Sequence, residues 1–213
     1  MDVGHPIRAV IPTLDGPVLE VLAGTTHPLT TLEIHRLAGV GSGMGVRRVL
    51  TRLAGEGIAH ADHRRNAIYY TANRDHLAWP AIAILARLRA SFHQRLSAEI
   101  AGWSIRPIHA SLFGSAARGD GDASSDVDVL LVKPDLDASD DENWEDQVDR
   151  LRAAVAALTG NRCQALVVTR DRIAEHIEAS DPLVDAWLHD GVHLVGDELP
   201  EVIAGLPSRR TVR

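Results

Sequence analysis

The spacing of hydrophobic positions changes near residue 105. Before it, apolar residues recur every three or four positions, the spacing of helices with one buried stripe. Asp15 can cap a helix with Pro17 in its first turn, carrying Val18, Leu19, Val21 and Leu22. Thr30-Thr31-Leu32-Glu33 has the form of a capping box. The helix it opens presents Leu32, Ile34 and Leu37 and stops at Gly39. Ser42 can cap a third helix over about 43–54, ended by Gly55-Glu56-Gly57. Two strand-like runs, 58–61 and 67–71, follow, joined as a hairpin through the polar link 62–66. One long helix is then expected over 79–103. Pro80 suits its first turn, and Ile82, Leu85, Leu88, Phe92, Leu96 and Ile100 form one stripe. Such a helix suits a bridge between domains or the surface of a homodimer.

After residue 105 short apolar runs dominate. Strands are expected at 108–113, 127–132, 163–168 and 192–195, and helices at 141–158, 170–179 and 182–189. Strands alternating with helices indicate an α/β domain. The chain therefore divides into 1–74, a linker helix 75–104, a second domain 105–205, and a tail 206–213 that reads as disordered.

Charge separates the same two halves. Residues 1–105 hold 11 Lys/Arg against 8 Asp/Glu, a net of +3, and residues 106–213 hold 11 against 21, a net of −10. A mildly basic half joined to an acidic one suggests a polyanion-binding module attached to something else. No apolar window reaches the roughly 18 residues of a membrane-spanning helix. Residues 1–5 lack the basic and apolar segments of a secretory leader. A cytoplasmic protein without membrane contact is the expectation. Cys163 is the single cysteine, so there is neither an internal disulfide nor a zinc pattern, and its apolar surroundings predict an inert buried thiol. No pair among the 11 histidines has metal-ligand spacing with a third ligand. His109 is expected to pack, and Trp79, Trp103, Trp144 and Trp187 to anchor cores or interfaces.

The chemistry is concentrated between Phe113 and Val132. Side chains alternate along a strand, so Asp126 and Asp128 share one face while Val127 and Val129 enter the core. Two carboxylates about 7 Å apart along a strand repel unless a cation lies between or beside them. Mg²⁺ suits such a site, because it takes carboxylate oxygens and shares its remaining positions with phosphates. Gly114-Ser115 follows a strand and opens a short helix, offering backbone N–H groups and a hydroxyl to an anion, and Gly114 permits close approach.

Gly114-Ser115, ten residues, then Asp126-Val127-Asp128, with Arg118-Gly119 between, resembles the signature of the polymerase-β nucleotidyltransferase superfamily, in its minimal branch. The likeness covers about 106–200. It implies a small mixed sheet with flanking helices, two Mg²⁺ ions, and transfer of a nucleoside monophosphate from an NTP. By that resemblance Gly114 and Ser115 hold phosphate, Asp126 and Asp128 hold metal, and Arg118 steadies the triphosphate. The family's third carboxylate belongs on the next strand, where Gln164 falls, and an amide can neither carry the charge nor act as a base. The acceptor implied is a protein hydroxyl, an RNA end or a small molecule such as an antibiotic.

In the third helix Val46, Val49, Leu50 and Leu53 form a buried stripe, leaving Arg47, Arg48, Thr51 and Arg52 on the opposite face. Arg64 and Arg65 sit at the hairpin tip. Three helices followed by a hairpin resemble the winged helix-turn-helix modules of bacterial regulators. That likeness implies DNA as a partner, read by the third helix and touched by the hairpin. The fold class expected is mixed α+β: an N-terminal winged helix-turn-helix, a linker helix, and a C-terminal nucleotidyltransferase α/β domain. Two functions follow: an Mg²⁺-dependent nucleotidyltransferase coupled to DNA binding, or a transcriptional regulator whose degenerate second domain senses nucleotide or mediates dimerisation.

Overall fold

The computed structural model describes residues 1–206 and divides into two compact units, one of His5–Ala90 and one of Met1–Gly4 with the chain from Ser91 onward. Apart from Leu206, which packs against the second unit's core, the tail expected to be disordered lies outside the described residues.

The first unit runs α1 (Ile7–Val10), α2 (Asp15–Ala23), β1 (Leu29–Thr30), α3 (Thr31–Ala38), α4 (Gly43–Gly55), β2 (Ala59–Arg64), β3 (Ala67–Ala72) and α5 (Trp79–Ala86). The capping box forms as expected. Thr30 Oγ1 accepts from the Glu33 N–H at 3.3 Å, and the Glu33 carboxylate accepts from the Thr30 N–H at 2.7 Å. Gly39 then ends α3 at φ 66°, and Ser42 caps α4 by accepting from the Gly45 N–H. Asp15 does not cap α2. It is the helix's first residue, and its carboxylate accepts from Thr13 Oγ1 and Arg52 instead. Val46, Leu50 and Leu53 of α4 are buried with Val18, Leu22 and Ile34 in one core.

The three strands form an antiparallel sheet in the order β1-β3-β2. Arg64 pairs with Ala67, so only Arg65-Asn66 makes the turn, and the polar run from Asp62 belongs to the strand. Its side chains face water, which disguises a strand as a loop. The two-residue β1 and single-turn α1 are too short to show a period.

The helix expected over 79–103 is two helices. Arg87 leaves helical geometry at φ −102°, ψ 6°, and α6 (Leu88–Ala101) begins beyond it. Trp79 and Ile82 of α5 belong to the first unit's core, while Phe92, Leu96 and Ile100 of α6 belong to the second's. The two stripes happen to keep one spacing, so periodicity reads straight through the break.

The second unit continues with β4 (His109–Phe113), α7 (Gly114–Arg118), β5 (Val127–Val132), α8 (Ala138–Thr159), β6 (Cys163–Val168), α9 (Arg170–Glu178), α10 (Pro182–Asp190), β7 (Val192–Gly196) and α11 (Leu199–Ala204). Its sheet has the order β6-β5-β4-β7, parallel between β5 and β6 and antiparallel elsewhere. This is the small mixed sheet expected. α8 starts three residues earlier than its apolar stripe suggests, because Asp137 caps it through the Ser139 and Asp140 N–H groups.

Helices cover both sheet faces. Ala110, Leu112, Val127, Val129 and Leu131 pack with α6 and with Trp144, Val148 and Leu151 of α8. Phe113, Leu130, Val132 and Val168 pack with Ile173, Trp187, Leu199 and Val202. This double cover explains the unbroken apolar run Val129–Val132 in β5, which is buried throughout. Val3 also joins the first of these cores. Among the described residues no helix is long and apolar enough to cross a membrane.

Candidate active site

Strand register builds the site. β4 and β5 pair so that Phe113, the last residue of β4, faces Asp128. The chain then turns sharply at Gly114, whose φ of 65° lies in the left-handed region. A Cβ built on Gly114 would stand 2.7 Å from Asp128 Oδ2, so backbone and carboxylate are closer than any side chain allows. α7 begins at this point with no side-chain cap, leaving its first N–H groups open. A Cβ on Gly121 would lie 3.0 Å from Ser115 Oγ and 3.2 Å from Ser125 Oγ, so the loop after α7 folds back over both hydroxyls.

The two aspartates flank Val127. Val127 and Val129 are fully buried, whereas Asp126 and Asp128 are half-exposed on the other side of the strand. Neither carboxylate takes a hydrogen bond or ion pair among the described residues. Burial raises the Asp128 carboxyl above the ordinary carboxylate range, the Asp126 charge raises it further, and Arg118 acts weakly the other way. An uncompensated pair of acids beside open backbone N–H groups fits a divalent cation that completes its shell with phosphate oxygens.

The third acid is missing. β5 and β6 pair so that Gln164 lies beside Asp128, where sequence reasoning put it. Among the described residues no group of three or more His, Cys, Asp or Glu side chains is arranged to hold a metal. The Gln164 amide supplies neither a charge nor a base at this position.

Arg118 is held away from a purely phosphate-directed role. Its Nε donates to Asp120 at 2.9 Å and its Nη1 to Asp190, at the end of α10, at 2.7 Å. These two partners raise the already high guanidinium pKa, and the hydrogen bond from Arg118 in turn holds the Asp120 carboxyl low. A triphosphate would have to compete with both acids for this side chain.

Several residues the sequence did not single out shape the site. Asn161, nearly buried between α8 and β6, donates through Nδ2 to the Ser125 carbonyl at 2.8 Å. It thereby fixes the chain immediately before Asp126. Asp122 organises the preceding loop, accepting from the Ser124 N–H and hydroxyl at 2.8 and 2.7 Å. The Ser124 hydroxyl is the main reason its carboxyl lies low. Gly4 packs against the Gly119 backbone, a Cβ there standing 2.6 Å from Gly119 Cα. Nothing but turn propensity marks these residues in the sequence.

Other expectations have plain outcomes. Cys163 is free and buried, and burial pushes its thiol up to about 11. His109 is buried, with Nδ1 2.8 Å from the Asp197 carbonyl and Nε2 2.9 Å from Ser111 Oγ, and burial lowers its pKa. All four tryptophans lie in the cores.

In the first unit Arg47, Arg48, Thr51 and Arg52 lie exposed along one face of α4. Arg47 and Arg48 make no ion pair among the described residues, whereas Arg52 pairs with Asp15. Arg64 donates to Asp62 at 2.8 Å and lies 4.4 Å from the Tyr69 ring centre. Arg65 occupies the exposed hairpin turn.

Residues 98–185 match the family model of the nucleotidyltransferase domain. The match spans the end of α6 to the start of α10 and contains Gly114, Ser115, Asp126 and Asp128. No curated protein and no solved structure matches the chain.

Proposed function

We propose that the second unit transfers a nucleoside monophosphate from an NTP to an acceptor hydroxyl with Mg²⁺, and that residues 1–74 are a winged helix-turn-helix that binds DNA. The observation carrying the first part is the approach of the Asp128 carboxylate to the Gly114 backbone, with Ser115 in the next position. The domain match supports nucleotidyl transfer in general. Asp126 and Asp128 would hold Mg²⁺, which supplies charge neutralisation of the phosphates and of the leaving group. The N–H groups of α7 and the Ser115 hydroxyl bind and orient the triphosphate. Asn161 and the loop 119–125 keep that cradle in place. The order of elements, with an exposed arginine face on α4 and Arg65 at a hairpin tip, supports the DNA-binding part.

The decisive experiment incubates the protein with each α-³²P-labelled NTP and Mg²⁺ and follows label onto protein, RNA and small-molecule acceptors. Asp126→Ala/Asp128→Ala must abolish transfer while circular dichroism stays unchanged. For DNA, duplex binding should weaken when Arg47, Arg48 and Arg52 become Ala.

Gln164 beside Asp128 favours a second reading, a regulator that binds nucleotide without turning it over or that dimerises through this domain. Calorimetric titration with NTP and Mg²⁺ separates the two. Nucleotide binding without label transfer, together with transfer appearing in Gln164→Asp, identifies the second.

A further inference from the structure

A cleft of about 500 Å³ opens between α6 and α8. Arg95, Ala98, Glu99 and Gly102 follow one another at three- and four-residue spacing, so they share one face of α6 and its end. Trp103 and, from α8, Arg150 complete the wall. α6 and α8 pack on the Val127 and Val129 side of the sheet, so the cleft lies across the sheet from Asp126 and Asp128. Small residues leave the room: a Cβ on Gly102 would meet only the Ala98 and Glu99 carbonyl oxygens, each at 3.5 Å. Arg95, Glu99 and Arg150 make no ion pair or side-chain hydrogen bond among the described residues. On α6 the cation precedes the acid by one turn, the order that favours pairing least. Trp103 is 5% exposed, and its buried indole N–H has no acceptor among the described residues. The indoles of Trp144 and Trp187 are unpaired too, but of the three only Trp103 walls this cleft.

We propose that this cleft is a second ligand site, and that it binds a phosphate group that keeps one proton, free or as a small organic monoester. The proposal goes beyond the transfer reading and does not depend on it. Two guanidiniums present planar forks that match phosphate oxygens. With one carboxylate beside them they give the cleft a net charge of +1, which a singly charged anion balances. A monoprotonated phosphate ester has that charge, and its proton gives Glu99 a hydrogen bond to accept. A sulfate ester has the same charge without the proton, so Glu99 would face only its oxygens. Trp103 adds a neutral donor. A buried N–H without an acceptor is costly, and a phosphate oxygen relieves that cost. The cleft is larger than a phosphate group and has the size of a small-molecule site. The extra space, over Ala98 and Gly102, suits an organic body attached to the phosphate.

The test follows the Trp103 indole N–H by ¹H–¹⁵N NMR on the full chain with EDTA, its peak assigned by loss in Trp103→Phe. Phenyl phosphate, inorganic phosphate, phenyl sulfate and benzoate are titrated at pH 6, where about half of a phosphate ester keeps its proton. Phenyl phosphate should move the peak saturably and bind about 10-fold tighter than phenyl sulfate, the worth of one charge-assisted hydrogen bond. Arg95→Ala/Arg150→Ala should weaken it by about 10-fold or more. Gly102→Leu should block the cleft with every charge in place. Glu99→Gln should remove most of the preference over sulfate, because an amide also donates to sulfate oxygens. Asp126→Ala/Asp128→Ala should leave the shift as it is, which separates this site from the transfer site. Tighter binding of phenyl phosphate than of inorganic phosphate indicates an organic ligand, and equal binding indicates free phosphate; either sustains the proposal. It is overturned if the Trp103 peak stays fixed with both phosphates. It is overturned as well if the alanine pair or Gly102→Leu, folded by thermal melting, binds phenyl phosphate as its parent does. Binding of phenyl sulfate or benzoate as tight as that of phenyl phosphate has the same consequence.

Discussion

Replacing Gly114 by alanine tests the geometry on which the site depends. A left-handed backbone costs an alanine about 1–2 kcal/mol. The added methyl would also sit 2.7 Å from Asp128 Oδ2, and forced contacts in a packed region cost about 1–3 kcal/mol. Asp128 can swing away, so the expected loss is near the lower end of the sum, about 2–3 kcal/mol, or about 1 M in the urea midpoint. Trp103, Trp144 and Trp187 lie in the second unit's cores, so tryptophan fluorescence reports largely on this unit. In an Asp128→Ala background only the backbone part remains, and Gly114→Ala should cost about 1–2 kcal/mol. The difference between backgrounds is the coupling between the glycine and the carboxylate. Equal costs in both, or a single mutant as stable as the parent with unchanged NTP affinity, would refute the close approach.

Four further outcomes are expected. Without divalent cation, stability should fall as pH rises through the range between the unfolded and the raised folded pKa of Asp128, because ionisation is disfavoured in the folded chain; Asp128→Asn should flatten that part of a pH series of melts. Gln147, buried on α8, accepts from the Ser104 hydroxyl and the Ile105 N–H and donates to the Ile105 carbonyl, so Gln147→Leu should cost about 1–3 kcal/mol in chemical denaturation. Asn161→Ala should leave the fold in place but raise the NTP dissociation constant several-fold in calorimetry, since the Ser125 carbonyl before Asp126 loses its partner. Asp190→Ala should leave stability nearly unchanged, as expected for a surface ion pair, and tighten triphosphate binding, because Arg118 is then held by Asp120 alone.

Where the sequence was legible, one local rule governed the outcome. Thr30, Glu33 and Ser42 cap their helices because capping is decided within four residues. Asp126 and Asp128 share a side because a strand alternates. Gln164 could be placed at the third-carboxylate position only through the family resemblance, and the strand register then sets it beside Asp128. Where several segments compete, the pattern failed. The break at Arg87 depends on which core claims each half of the helix. Asp15 looks like a cap and instead meets Arg52, 37 positions away. Asn161, Asp120 and Asp190 act on the site through contacts that no spacing announces, and β1 gains its two residues only by pairing with β3.

The chain contributes Val3 to the second core, leaves to build residues 5–90 as a unit of their own, and returns at Ser91. The first unit is thus inserted within the second rather than appended to it. Trimming the protein at Ser91 would strip a buried valine and the glycine that abuts Gly119, so a shortened second unit is better made by excising the insert and rejoining Gly4 to Ser91 through a flexible bridge.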